Sequence, residues 1–139
     1  MSLSLTNGAG AMQRMQRVQS AGYWLATIAA SALFFVPGVA LLAQVPHFVD
    51  DMAHLGFPTY FLGILGAWKM CGAAAILAPG LPRLKEWAYA GMTFDATSAA
   101  IARFALADGF VKILLPLAIA AIVLASWSLR PPARRLARG

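Results

Sequence analysis

Long apolar stretches, separated by short polar ones, organise this chain. Residues 18 to 49 contain no charged side chain. Their apolar core, Tyr23 to Ala43, supplies the ~20 residues that a membrane-spanning helix needs. A second stretch runs from Pro58 to Leu77, interrupted only by Lys69. A third runs from about Trp87 to Ala107 and carries Asp95 and Arg103, and a fourth from Phe110 to Leu129 has Lys112 near its start. The pattern predicts an all-α integral membrane protein with four transmembrane helices in an antiparallel bundle.

The breaks between stretches are made of turn-forming residues. Pro79-Gly80-Leu81-Pro82 ends the second span, and Ala107-Asp108-Gly109 turns the chain into the fourth. Pro131-Pro132 stops the last helix. The first connection, about Gln44 to Phe57, reads as a loop holding His47, Asp50, Asp51 and His54. Pro37-Gly38 falls inside the first span and predicts a kink. Tyr23-Trp24 and the pair Trp87 and Tyr89 mark headgroup levels, where amphipathic rings are favoured. Residues 1–20 read as a flexible cytoplasmic tail, 21–130 as the transmembrane domain and 131–139 as a basic cytoplasmic tail. The first span reads as an uncleaved anchor. Its charged lead is long for a signal peptide, and Leu41-Leu42-Ala43 offers no small-x-small cleavage site.

Composition narrows the class. The chain has 139 residues, of which 60% are hydrophobic and 12% charged. A soluble domain carries about twice that charge. The net charge of +6 could suggest nucleic acid, but the cations gather at the two ends. Arg14 and Arg17 precede the apolar part, and Arg130, Arg134, Arg135 and Arg138 follow it. That distribution suits cytoplasmic flanks of membrane spans, and no nucleic-acid partner is expected. The loop with Arg83 and Lys85 is basic too, whereas the remaining connections hold Asp50, Asp51 and Asp108. Both termini of this multi-pass protein are therefore expected in the cytoplasm. The tail arginines would attract anionic lipid headgroups at ~1 kcal/mol each.

Charges inside the membrane are the candidate chemistry. Lys69 lies about nine residues before the end of the second span, and Asp95 about nine after the start of the third. At ~1.5 Å rise per residue both sit ~14 Å deep, near the middle of a ~30 Å core. A lone charge there costs ~3 kcal/mol on the insertion scale. A Lys69–Asp95 pair would offset that cost, with Thr93, Thr97 or Ser98 as polar neighbours. Such a pair either locks helix register or forms the polar centre of a ligand pocket or proton path. Trp68 could stack on a ring-shaped ligand, or simply face lipid. Arg103 belongs nearer the outer face, where it snorkels or pairs with Asp108, Asp50 or Asp51.

Other chemistry is sparse. The lone Cys71 cannot form an internal disulfide and reads as a small buried hydrophobe. His47 and His54 share one loop at a spacing that matches no strong ligand signature, so no metal site is expected. No phosphate-cradling glycine loop, zinc-protease motif or nucleophile elbow is present in the sequence.

Three segments resemble the DoxX-like family of small bacterial membrane proteins. They are Pro79-Gly-Leu-Pro-Arg-Leu-Lys-Glu-Trp-Ala-Tyr-Ala-Gly-Met-Thr-Phe-Asp95, then Leu55-Gly56-Phe57-Pro58 leading into Leu65-Gly66-Ala67-Trp68-Lys69-Met70-Cys71-Gly72, and Ser126-Trp127-Ser128-Leu129-Arg130-Pro131. The resemblance covers roughly residues 22 to 132. It implies a four-helix bundle in a bacterial cytoplasmic (inner) membrane. Relatives include subunits of a thiosulfate:quinone oxidoreductase and a component of a membrane redox complex. Where members often carry a His after the aspartate of span three, this chain has Arg103, so no role for a titrating imidazole is expected there. The resemblance thus implies an accessory subunit of a quinone-linked redox system, with another membrane or redox subunit as partner. With one thiol and no evident site for an electron carrier in the sequence, a self-sufficient enzyme is not expected. Quinone or lipid is the ligand class to consider. The alternative is a non-catalytic carrier of lipid or a small molecule, or a membrane assembly factor.

Overall fold

The computed structural model describes residues 2–137, with side chains from residue 7 onward. Arg138 and Gly139, part of the expected basic tail, lie outside the described residues, as does Met1. Five α-helices account for nearly all of the fold: α1 Ser2–Leu42, α2 Pro46–His54, α3 Thr59–Leu77, α4 Pro82–Ala105 and α5 Phe110–Ser128. A short 3-10 turn follows at Pro132–Arg134. No strand occurs among the described residues.

Four of these helices follow the apolar stretches. The fifth, α2, corrects the expectation of a plain loop between the first two spans. Pro46 opens it at a position where the missing amide proton costs nothing. None of its nine residues is buried, so it lies on the end of the bundle rather than in it. Helix α1 is continuous through Pro37 and extends back through the polar N-terminal residues, which are exposed from Asn7 to Ala21.

Three helices are long and apolar enough to cross a membrane: α1 over Asn7–Leu42, α3 over Thr59–Leu77 and α5 over Phe110–Ser128. Helix α4 is long but carries Arg83, Lys85, Glu86, Asp95 and Arg103, which lower its mean hydropathy. Three apolar spans, not four, therefore stand on length and composition alone.

Packing follows helical periodicity. Helix α1 buries Tyr23, Thr27, Ala30, Ser31, Phe34, Gly38 and Leu41, one face of a 3.6-residue repeat. Helix α4 buries Lys85, Tyr89, Met92, Ala96 and Ala100, and α5 buries Pro116, Ala120, Val123 and Ser126. Phe34, Ala73, Ile76, Met92 and Val123 meet in the centre. The most extensive seam joins α1 to α3, and α4 packs chiefly on α5. Helices α3 and α4 meet along a shorter seam, which leaves a groove between them.

Candidate functional site: a polar-centred groove

Gly80 and Leu81, at φ of 69° and 53°, reverse the chain between α3 and α4. Consecutive helices joined this way run antiparallel, so residues similarly far from the turn come level. Lys69 and Asp95 are such a pair. The Lys69 ammonium donates to Asp95 Oδ2 at 2.5 Å. Lys69 Nζ also stands 4.7 Å from the centre of the Phe34 ring on α1, a cation–π contact. Both side chains are only partly exposed, at 16% and 26%. Their charges cancel where neither would tolerate isolation.

The ion pair closes one part of a groove of about 480 Å³ between α3 and α4. Its walls are otherwise apolar: Phe34, Leu65, Trp68, Trp87, Met92 and Ala88 are among the lining residues. Cys71 also lines it and is exposed, which corrects the reading of a buried thiol. The arrangement offers an ammonium donor, a carboxylate acceptor and indole faces within one apolar cleft. It suits a flat or elongated ligand with a polar end.

The other candidates lie elsewhere. Thr93 Oγ1 donates to the Tyr89 carbonyl and Thr97 Oγ1 to the Thr93 carbonyl, each at 2.8 Å along their own helix. Thr93 borders a smaller pocket with Glu86, Tyr89 and Trp127. Ser98 is exposed on α4, and neither it nor Thr97 lines the groove. Arg103 is at the far end of α4, where it donates to Asp51 at 2.5 Å and to Asp108 at 3.1 Å. His54 Nε2 is 2.8 Å from the other oxygen of Asp108. These contacts tie α2 to the α4–α5 turn. The His54 hydrogen bond, helped by Arg103, holds the Asp108 carboxyl below its usual range.

Two further polar clusters were not singled out from the sequence. In the core, Ser126 shares hydrogen bonds with Thr27 at 2.6 Å and with Tyr89 at 2.7 Å. Tyr23, Thr27 and Ser31 recur every four residues, a signal that one helical face of span one is polar. Near the α3–α4 turn, Lys85 is fully buried. Its ammonium donates to the carbonyls of Ala75, Ile76 and Ala78, covering the open C-terminal end of α3. Glu86 accepts from Arg130 at 2.5 Å and from Trp127 Nε1 at 2.9 Å.

No curated protein and no solved structure matches the chain. A family model does: that of the DoxX-like family matches residues 9–126, which include the groove, its ion pair, all of α2, α3 and α4, and all but the first turns of α1 and the last two residues of α5. A match over most of its length means that this membrane protein belongs to the DoxX-like family.

Proposed function

We propose that the chain crosses the membrane four times, with α4 as the remaining span. Its 24 residues would reach ~36 Å, enough for a ~30 Å core. Pairing of Asp95 with Lys69 removes the main cost of inserting α4, and Arg103 and Lys85 sit near its ends. The positive-inside pattern gives both termini to the cytoplasm of a bacterial inner membrane.

Within that frame the protein acts as an accessory subunit of a quinone-linked membrane redox system. The observation that carries this reading is the groove with its Lys69–Asp95 centre. A quinone carbonyl can accept a hydrogen bond from the Lys69 ammonium while its ring lies against Trp68 or Trp87. The electron-carrying site would belong to a partner subunit. Anionic headgroups would meet the basic C-terminal segment.

One observation favours the alternative of a lipid or small-molecule carrier. Trp68 and Trp87 line the groove yet are 70% and 79% exposed, so the cleft opens toward the lipid. Titrating the purified protein with decylubiquinone separates the two. Saturable quenching of tryptophan fluorescence, weakened at least tenfold by Lys69→Met, supports the quinone reading. Non-saturable quenching together with a phospholipid that the wild type retains through purification and Lys69→Met loses would replace it with the carrier reading.

A further inference from the structure

Three cations gather where α3 ends and α5 leaves the bundle: Lys85, Arg130 and Arg134. Arg130 stands over the ring of Tyr89, one helical turn along α4 from Lys85, and Arg134 donates to Tyr23 on the facing helix α1. Among the described residues the one carboxylate beside them is Glu86, already bound to Arg130. The remaining acidic residues, Asp50, Asp51, Asp95 and Asp108, belong to the middle of the bundle or its opposite end. Among the described residues this end therefore carries more positive than negative charge, with Lys85 and Arg130 buried and Arg134 half-buried.

The donors are fixed, and some are vacant. The Lys85 ammonium is taken up by backbone carbonyls. Arg130 is only 3% exposed, with its guanidinium 5.1 Å from the Tyr89 ring and 5.6 Å from that of Trp127. Its Nη2 serves Glu86 and its Nε the Trp127 carbonyl, but Nη1 is buried with no acceptor. Arg134 lies over Trp24 at 4.8 Å and Tyr23 at 5.8 Å. Its Nη1 donates to Tyr23 Oη at 3.3 Å, and no other acceptor meets it among the described residues. Aromatic faces thus hold two guanidinium planes, one with a buried orphan donor and the other with donors to spare.

We propose that this end of the bundle binds a single phosphate group through Arg130 and Arg134, as the headgroup of an anionic phospholipid or as free phosphate. Planar, pre-oriented guanidinium groups match phosphate oxygens better than flexible ammonium groups do. The proposal rests on the reading that this end lies at a membrane surface, and is independent of the quinone groove. It differs from diffuse attraction by a basic tail, which depends on charge number and not on which arginine carries it.

The test is native mass spectrometry of the full chain in detergent, with phosphatidylglycerol or phosphatidylcholine of matched acyl chains. One phosphatidylglycerol should be retained in clear preference. Arg134→Gln should weaken retention at least tenfold, and Arg134→Lys should also weaken it because the fork and the stacking are lost. Arg14→Gln, an equal loss of charge on the exposed start of α1, should change it less than twofold. Trp24→Leu keeps every charge but removes the platform under Arg134, and should weaken retention about threefold; it decides the matter if the Arg134 variants do not fold. Displacement of the lipid by millimolar inorganic phosphate would show that free phosphate is accepted too. A lack of displacement would assign the site to the headgroup. Equal losses in Arg134→Gln and Arg14→Gln, or no preference for phosphatidylglycerol over phosphatidylcholine and no phosphate binding, would overturn the proposal. Decylubiquinone quenching on the same samples reports the groove separately.

Discussion

Gly38 and Gly66 bring the backbones of α1 and α3 into contact. A Cβ added to Gly66 would stand 2.7 Å from the Gly38 carbonyl oxygen, and one added to Gly38 would stand 3.0 Å from the Gly66 carbonyl. Lipid gives helices no hydrophobic drive toward one another, so close packing of this kind carries the association.

A methyl group at Gly66 should therefore force α1 and α3 apart. Overpacking of a tight contact costs about 1–3 kcal/mol. Gly63, one turn nearer the start of α3, has open space around it. Gly66→Ala should lower the melting temperature in detergent, whereas Gly63→Ala should leave it unchanged or slightly higher. Equal melting of the two variants would mean that the α1–α3 crossing tolerates separation.

The groove depends on that crossing. Phe34 on α1 meets Lys69 on α3 from within the same seam. Gly66→Ala should therefore also weaken decylubiquinone quenching, in a variant that leaves every groove side chain intact.

Topology offers a third prediction. If α4 is a span, the chain crosses four times, and an alkaline phosphatase fusion after Arg135 should be inactive while a green fluorescent protein fusion there should glow. A fusion in the α4–α5 turn should behave the opposite way. Active phosphatase at the C-terminus would leave three crossings, with α4 against the surface or packed within the protein.

Acid should loosen the end of the bundle that carries α2. Asp108 faces His54, Arg103 and Lys112, and its folded carboxyl binds protons more weakly than an unfolded one. Such a group stabilises the fold above the usual carboxylate range. Its contribution is lost as the pH falls through the lowered folded value. The first cause of the lowering is the His54 hydrogen bond. His54→Ala should thus melt below the wild type near neutrality, and the gap should close in strong acid. A gap of constant size across that range would detach His54 from Asp108.

These residues also show what could be read from the sequence. Apolar length fixes the C-terminal end of α1 and both ends of α3 and α5, because burying a backbone in lipid requires an unbroken helix. Helix α2 escapes such reading. It is short, buries nothing, and takes part in Arg103–Asp51 and His54–Asp108 contacts whose partners are 52 and 54 residues apart. The pairing of Lys69 with Asp95 was legible because both lie a similar distance from the one short turn that joins their helices. Thr93 and Thr97 flank Asp95 on α4, yet their hydroxyls turn to their own helix carbonyls, an option open to any threonine in a helix. In the sequence Lys85 reads as one more cation of a basic loop. Its role in covering the end of α3 depends on the left-handed turn at Gly80 and Leu81, which swings it back under the helix before.

The Lys69–Asp95 contact supports the sharpest prediction. Removing one partner leaves the other charge alone in a largely dry bundle. For a buried pair that costs roughly 3–5 kcal/mol, while replacing both by apolar residues can cost little. The remaining group can partly escape by changing its protonation, which softens the loss. Lys69→Met and Asp95→Leu should each lower thermal stability more than the double variant does. Single losses that simply add in the double variant would mean that the residues do not interact energetically. The same three proteins separate structure from function. A pair that only fixes helix register predicts that the stable double variant still binds decylubiquinone. A ligand site predicts a double variant that is folded and stable but no longer gives saturable quenching, because the donor to the quinone carbonyl has gone.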